Sequence, residues 1–222
     1  MTHTLTLKSI DPVTHDTWHL TFDHPEEFQF EPGQATHMAL DKDGWRDKDR
    51  PFTMTSAPGA DVVEFVIKSY PDHDGVTEQI PHMTPGDTVL AEDPAGAITD
   101  HGTGVFLAAG AGITPFIAIL DKHARENLTG DRLIFANKAD RDIILQDKWD
   151  SMEGVMPTYV ISDQPDTDYV AGRIDKSMLQ DLLTDLDRTF YICGPGGFVD
   201  AMRDALTELT VPKSQMVIEN GW

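Results

Sequence analysis

GVFLAAGAGITPFIAILDKHAREN, residues 104–127, reads as three joined pieces. GVFLAA is a short apolar run suited to a strand buried on both faces. Gly110 and Gly112 permit a tight turn and a close approach of backbone to a diphosphate, and Thr114 with Pro115 opens an amphipathic helix. The turn has the form GxGxxP, one position away from the dinucleotide fingerprint GxGxxG. Its context, strand before and helix after, is the one that fingerprint requires.

The same strand-then-helix order recurs downstream. RLIFAN (132–137) leads to DIILQDKWDSM (142–152), TYVIS (158–162) to DKSMLQDLLTDL (175–186), and FYICG (190–194) to GFVDAMRDALTEL (197–209), with MVIEN (216–220) closing the series. A repeated β-α order ending on a strand predicts a five-stranded parallel sheet with helices on both faces. Ligands of such sheets sit at the carboxyl ends of the strands, where Gly110 to Pro115 and Gly194 to Phe198 both fall.

Upstream the pattern is different. Short alternating or β-rich runs near 4–10, 17–23, 34–40, 52–56, 62–70 and 88–92 are separated by the turn signals EPGQ, DKDG, APGA and TPGD. Six such runs predict a closed antiparallel barrel, interrupted by a short helix at 75–83. The change of pattern lies near ITDHGT (98–103), so the sequence divides into domains at 1–100 and 101–222. A chain of 222 residues is comfortable as two domains of about 100 residues each.

Charge is the unusual feature of the composition: 38 acidic residues against 17 basic give a formal net of −21. Nucleic acid and anionic membranes both require a basic patch that displaces counterions, which excludes them as partners. The excess of acid reads either as solubility, including adaptation to high salt, or as steering toward a basic partner. The chain has no apolar run of about 18 residues, and its start, MTHTLTLK, lacks a signal pattern, so a soluble cytoplasmic protein is expected. Cys193 is the only cysteine, which rules out an intrachain disulfide or a cysteine-ligated iron–sulfur cluster. The histidines show no HxH or HExxH spacing, so surface or cap roles are expected and no metal site.

RPFTMTS (50–56) supplies a third site. Arg50 offers a planar cation for pyrophosphate oxygens, Phe52 an aromatic face and Thr53 a hydroxyl beside it. Gly75, Val76 and Thr77 place a helix start, with its unpaired N–H groups, downstream of that motif. Taken in order, RPFTMTS, GAGITP and CGPGGF (193–198) resemble the ferredoxin-NADP reductase family, of the bacterial flavodoxin and ferredoxin reductase type.

That resemblance covers nearly the whole chain and implies a flavin-binding barrel followed by a nicotinamide dinucleotide-binding α/β domain. It implies FAD held by Arg50, Pro51, Phe52, Thr53, Ile67, Lys68, Gly75, Val76, Thr77 and Trp222, with FAD preferred to FMN because two phosphate sites are present. For the nicotinamide coenzyme it implies Gly110, Gly112, Ile113, Thr114, Pro115, Asp163, Cys193, Gly194 and Pro195. Thr53, Cys193 and Glu219 carry the catalytic roles: a hydrogen bond near flavin N5, placement of the nicotinamide, and proton or hydride assistance. Phe52 and Thr53 stand where many relatives have Tyr and Ser, Phe198 where they have Met, and Gly221 where they have Tyr. DPAG (93–96) matches a GPxG-like turn with Asp in the first position. Trp222 is open between covering the flavin, covering the adenine and sealing the surface.

Members preferring NADPH often place a basic residue after the Ser of a segment like VISD. Here Asp163 stands there, repelling a 2′-phosphate and favouring NADH, against the influence of Lys138 and Arg141. The implied activity is hydride transfer from NADH or NADPH to flavin, then single electrons to an acceptor: a ferredoxin- or flavodoxin-type protein or an oxygenase component. A free-flavin or ferric-chelate reductase and a non-catalytic flavin-binding module are the alternatives.

Overall fold

The structure is a computed structural model and describes residues 1–71, 75–96 and 98–218. Among the described residues two compact units result: Met1–Thr99 with Thr114–Ile119, and Asp100–Ile113 with the described residues from Leu120.

The first unit is an antiparallel barrel of six strands: β1 (Thr2–Pro12), β2 (Thr17–Asp23), β3 (Ala35–Leu40), β4 (Arg50–Thr53), β5 (Val62–Lys68) and, after the one-turn helix α1 (Val76–Gln79), β6 (Thr88–Glu92). The strand order is β4-β3-β6-β1-β2-β5. The two ends of that order meet through a single bridge, Met54 to Phe65, and through the Thr55 N–H, which donates to Glu64 O at 2.7 Å. Closure turns one face of every strand inward. Leu5, Leu7, Leu20, Phe22, Met38, Leu40, Met54, Val63, Phe65 and Val89 accordingly form one buried core. Val76 and Ile80 plug it from the α1 turn.

The described chain from Gly104 forms a parallel sheet with helices: β7 (Gly104–Ala109), α2 (Thr114–Arg125), β8 (Asp131–Asn137), α3 (Gln146–Ser151), β9 (Val155–Ile161), β10 (Val170–Ala171), α4 (Lys176–Leu182), β11 (Thr189–Cys193), α5 (Gly196–Glu208) and β12 (Met216–Ile218). The order is β10-β9-β8-β7-β11-β12. The five expected strands are present, and β10 adds a sixth at the edge. Its two residues are too few to carry any periodicity, so a pattern search passes over it.

One helix departs from its sequence pattern for an identifiable reason, and another starts where its cap predicts. DIILQDKWDSM yields a helix only from Gln146, because Leu145 takes a left-handed backbone at φ 56° while Ile143 and Ile144 are buried as an irregular segment. Trp149 then fills the space beneath, its indole N–H donating to Ile144 O at 2.8 Å. α4 begins just after Asp175, whose carboxylate accepts the Met178 N–H at 2.8 Å as its N-cap.

At the amino ends of β7 and β8 lies a buried charge network. His123, near the end of α2, bonds Asp131 through Nδ1 at 2.7 Å and Asp100 through Nε2 at 2.9 Å, and only 1 % of the residue is exposed. Asp131 also accepts the Gly104 N–H at 2.8 Å, and Asp100 accepts from Lys122 Nζ at 2.7 Å and from the Gly102 N–H at 2.8 Å. Tyr191, stacked on Phe106 with ring centroids 4.3 Å apart, donates to Gly102 O and accepts the His101 N–H, both at 2.7 Å. The linker 100–104 is thereby fastened to the sheet. His123 corrects the expectation of surface or cap histidines: it is a core residue.

Burial opposes a charge on His123, yet the bonds to Asp131 and Asp100 outweigh it and raise its pKa above the ordinary 6.5. Burial likewise pushes the Asp100 carboxyl up, and the hydrogen bonds from Lys122 and His123 overcome it and hold the group at about 2.

Candidate functional site

In the barrel, β4 carries the RPFT segment as an end strand paired with β3, Phe52 opposite Thr36 and Thr53 opposite Ala35. Arg50 is exposed and donates through Nη1 to Asp49 O at 2.7 Å, which leaves most of its five donors for other acceptors. Phe52 is half-buried against the barrel core, and Thr53 is half-buried at the end of the strand. A cation, a ring and a hydroxyl are thus presented along four consecutive residues of one edge.

The neighbouring candidates offer less side chain than the sequence suggests. Ile67 is 2 % exposed and belongs to the core, and Val76 is equally buried, so only their backbones can meet a ligand. Lys68 Nζ is paired with Asp16 at 2.5 Å. Burial pushes the Asp16 carboxyl up, but Lys68 and Thr14 together hold it below its usual value. Gly75 is the N-cap of α1 with an extended backbone and no side-chain cap; the Glu78 N–H donates to Gly75 O at 3.0 Å, and the amides of Val76 and Thr77 lie ahead of the first intrahelical bond. Asp93, at the head of DPAG, is tied to the terminal amine at 2.6 Å and to His3 at 2.8 Å.

In the second unit the two glycine turns are packed on each other at the carboxyl ends of β7 and β11, where Cys193 pairs with Ala108. Gly110 has φ 52°, a left-handed backbone that glycine adopts without strain. A Cβ on Gly112 would lie 2.3 Å from Cys193 O and 2.6 Å from Gly194 Cα. The close approach that Gly112 allows within the chain is to the Cys193–Gly194 backbone, a packing reason beside the one assigned from sequence. Gly194 in turn would meet Phe198 Cδ1 at 2.9 Å and Ala109 Cβ at 3.0 Å. Phe198 lies against the helix-covered core, so its role is to pack that turn.

Gly196 and Gly197 are a different case. Each sits in the first turn of the 13-residue α5, and a Cβ on either would have nothing within 4 Å. No packing explains two glycines there, although each costs about 1 kcal/mol against alanine in a helix. Together with the first-turn N–H groups they form a cradle of a kind that fits a phosphate-bearing coenzyme. The cradle lies beside the half-buried thiol of Cys193.

Two further residues stand at the same end of the sheet. Asp163 is exposed just beyond β9, its N–H donating to Lys138 O at 2.9 Å. Asn137 ends β8, and neither atom of its buried side-chain amide has a hydrogen-bond partner among the described residues. Sequence reading passed over Asn137; the available signal was a polar residue closing the apolar strand RLIFAN. Glu219 and Trp222 lie outside the described residues.

Residues 4–99 match the model of the oxidoreductase FAD-binding domain, and residues 106–204 match that of the oxidoreductase NAD-binding domain. The chain belongs to the ferredoxin reductase-like family. Members of this family pair an FAD-binding barrel with an NAD-binding α/β domain, the architecture seen here. Among its relatives is the ferredoxin reductase component of 3-ketosteroid-9-alpha-monooxygenase from Mycobacterium tuberculosis (strain CDC 1551 / Oshkosh), 28% identical over 88% of this chain and 56% of that protein. NADH-cytochrome b5 reductase 2 of Botryotinia fuckeliana is 26% identical over 89% of the chain and 63% of its own length. The chain thus spans less than two thirds of these curated relatives. The CS-b5R domains of human Ncb5or, in the NAD+ form, superpose with a TM-score of 0.88 at 25% identity, covering 99% of this chain and 70% of that one. No helix among the described residues of this ferredoxin reductase-like chain is long and apolar enough to cross a membrane.

Proposed function

We propose that this chain is an FAD-dependent NAD(P)H reductase that supplies electrons one at a time to a separate acceptor. The observation that carries the reading is the pair of stacked glycine turns at the carboxyl ends of β7 and β11, with a glycine-opened helix start at Gly196 beside Cys193. Residues 1–100 form the flavin domain and residues 101–222 the coenzyme domain of the proposal. Bound flavin supplies the chemistry, accepting a hydride from reduced nicotinamide and releasing electrons singly.

The chain's own residues supply position and charge. Arg50 and the amides of Gly75, Val76 and Thr77 hold the diphosphate of FAD, Phe52 packs beside the ring, and the Thr53 hydroxyl bonds the reacting edge. Pro51, Ile67 and Lys68 line the same strands through backbone. Gly110, Ile113, Thr114 and Pro115 form the coenzyme turn that Gly112 lets settle on Cys193, and Gly194 and Pro195 lead into the α5 cradle. Cys193 places the nicotinamide by contact; its thiol takes no part as a nucleophile. Asp163 favours NADH by repelling a 2′-phosphate. Glu219 and Trp222 retain the roles that the family resemblance implies.

The acceptor is a redox protein of ferredoxin or flavodoxin type or an oxygenase component, and the site of action is the cytoplasm, where NAD(P)H is held. Anaerobic addition of NADH and of NADPH to the FAD-loaded protein tests the reading: loss of flavin absorbance is expected, faster with NADH. Absorbance unchanged by either coenzyme would leave a non-catalytic flavin-binding module. Turnover with free flavin or ferric chelate alone, and none with a carrier protein, would mark the small-acceptor alternative.

A further inference from the structure

Asn137 is 7 % exposed, and both its Nδ2 and its Oδ1 lack a partner among the described residues. An unpaired buried amide is costly enough that proteins seldom keep one without a use. It sits at the carboxyl end of β8, where ligands of parallel sheets bind. Strand alternation puts it on the face opposite Ile134 and Ala136, which pack toward α4 and α5.

Its surroundings narrow the ligand. The strand on one side is β7, whose last residue Ala109 pairs with Ala136 and enters the Gly110 turn. On the other side is β9, where Ile161 pairs with Asn137. The Ser162 N–H donates to Asn137 O at 3.0 Å and the Asp163 N–H to Lys138 O at 2.9 Å, so Asp163 and Asn137 close neighbouring strands. Cys193 is two strand spacings away from β8, roughly 10 Å, on the far side of β7. The amide is thus on the carboxylate's side of the diphosphate turn and away from the thiol.

A neutral amide offers a donor and an acceptor at once. Phosphate oxygens would use only the donor and leave Oδ1 unpaired. A sugar diol uses both, with Asp163 accepting from a second hydroxyl. We propose that Asn137 is a coenzyme-binding residue whose side-chain amide bonds the adenosine ribose hydroxyls of NADH, next to Asp163. This rests on the reductase reading above and assigns to it the group that recognises an unmodified ribose.

The test uses the FAD-loaded full chain, with ADP and 2′-deoxy-ADP as competitive inhibitors against NADH. In the unsubstituted protein ADP should inhibit more tightly than its deoxy analogue. Asn137→Leu should weaken ADP by about tenfold, weaken 2′-deoxy-ADP, which keeps only the 3′-hydroxyl, by clearly less, and raise the KM for NADH with little change in kcat. Asn137→Ser, which keeps one polar atom, should fall between, and it serves as the readout if the leucine variant loses its flavin. Equal weakening of both inhibitors would put the amide on the adenine ring, and unchanged inhibition by both would make it structural; either result overturns the proposal. If the unsubstituted protein neither oxidises NADH nor responds to ADP, the reductase reading itself falls, a result distinct from any produced by the variants.

Discussion

A methyl group on Gly112 would have to share space with Cys193 O at 2.3 Å, a backbone atom that cannot swing aside. Gly112→Ala should therefore cost about 2 kcal/mol or more of stability by forcing the two turns apart, read as a lower urea midpoint. Gly196→Ala meets nothing within 4 Å and replaces glycine in a helix. It should gain about 0.5 kcal/mol or more of stability while weakening NADH, so that stability and affinity move in opposite directions. A Gly196→Ala protein with unchanged coenzyme affinity would remove the cradle from the site. At Thr53 the expected loss is kinetic: Thr53→Val should slow flavin reduction in stopped flow by about tenfold, near 1.4 kcal/mol for one hydrogen bond, with FAD content preserved. Equal rates would end its assigned role. Gly112 also shows what a motif conveys: GxGxxP marks where bulk is forbidden without saying what would collide. The collision partner, Cys193, is 81 residues further along the chain, and only folding brings it near.

Among the elements, strands and helices with a full period were legible beforehand, and those set by long-range contacts were not. α2 is legible because Pro115 opens it and apolar residues recur along one face; β10 is two residues long and exists only because β9 offers an edge. His123 falls at i+7 from Phe116 and i+3 from Leu120, on the buried stripe of α2. That spacing was a signal of burial, but its partners Asp100 and Asp131 come from different segments. Their network makes a pH prediction. His123, with its raised pKa, contributes stability fully below 6.5 and loses it as pH climbs through the folded value. Asp100 contributes above 3.8 and loses its share as pH falls toward about 2. Melting temperature should form a plateau between those limits. His123→Gln should flatten the alkaline limb and cost about 3 kcal/mol overall by removing the cation shared by the two carboxylates; an alkaline limb unchanged in that variant would assign the titration elsewhere.

On the scale of the molecule, the formal charge of −21 makes the folded chain repel itself. Raising KCl from about 0.1 M to about 1 M shortens the screening length from about 10 Å to about 3 Å, so the melting temperature should rise with salt. A fall would mean that local ion pairs, such as Lys148 with Asp121 at 2.7 Å, outweigh the net repulsion. Reduction of an acidic carrier protein should speed up over the same range, and that of a basic one should slow down. The two-unit plan was visible in the change from alternating to βα patterning. The way the barrel shuts was not, since one bridge from Met54 to Phe65 leaves no mark in a sequence. That narrow join adjoins the RPFT segment, and across it the Thr55 N–H donates to Glu64 O. Local opening of the barrel is expected to start at this seam. Cofactor residence time then becomes a property of a seam rather than of a pocket: exchange of FAD should keep pace with deuterium uptake at Thr55, whose N–H spans the join, and a covalent staple across Thr55 and Glu64 would trap the cofactor or keep it out, depending on which came first.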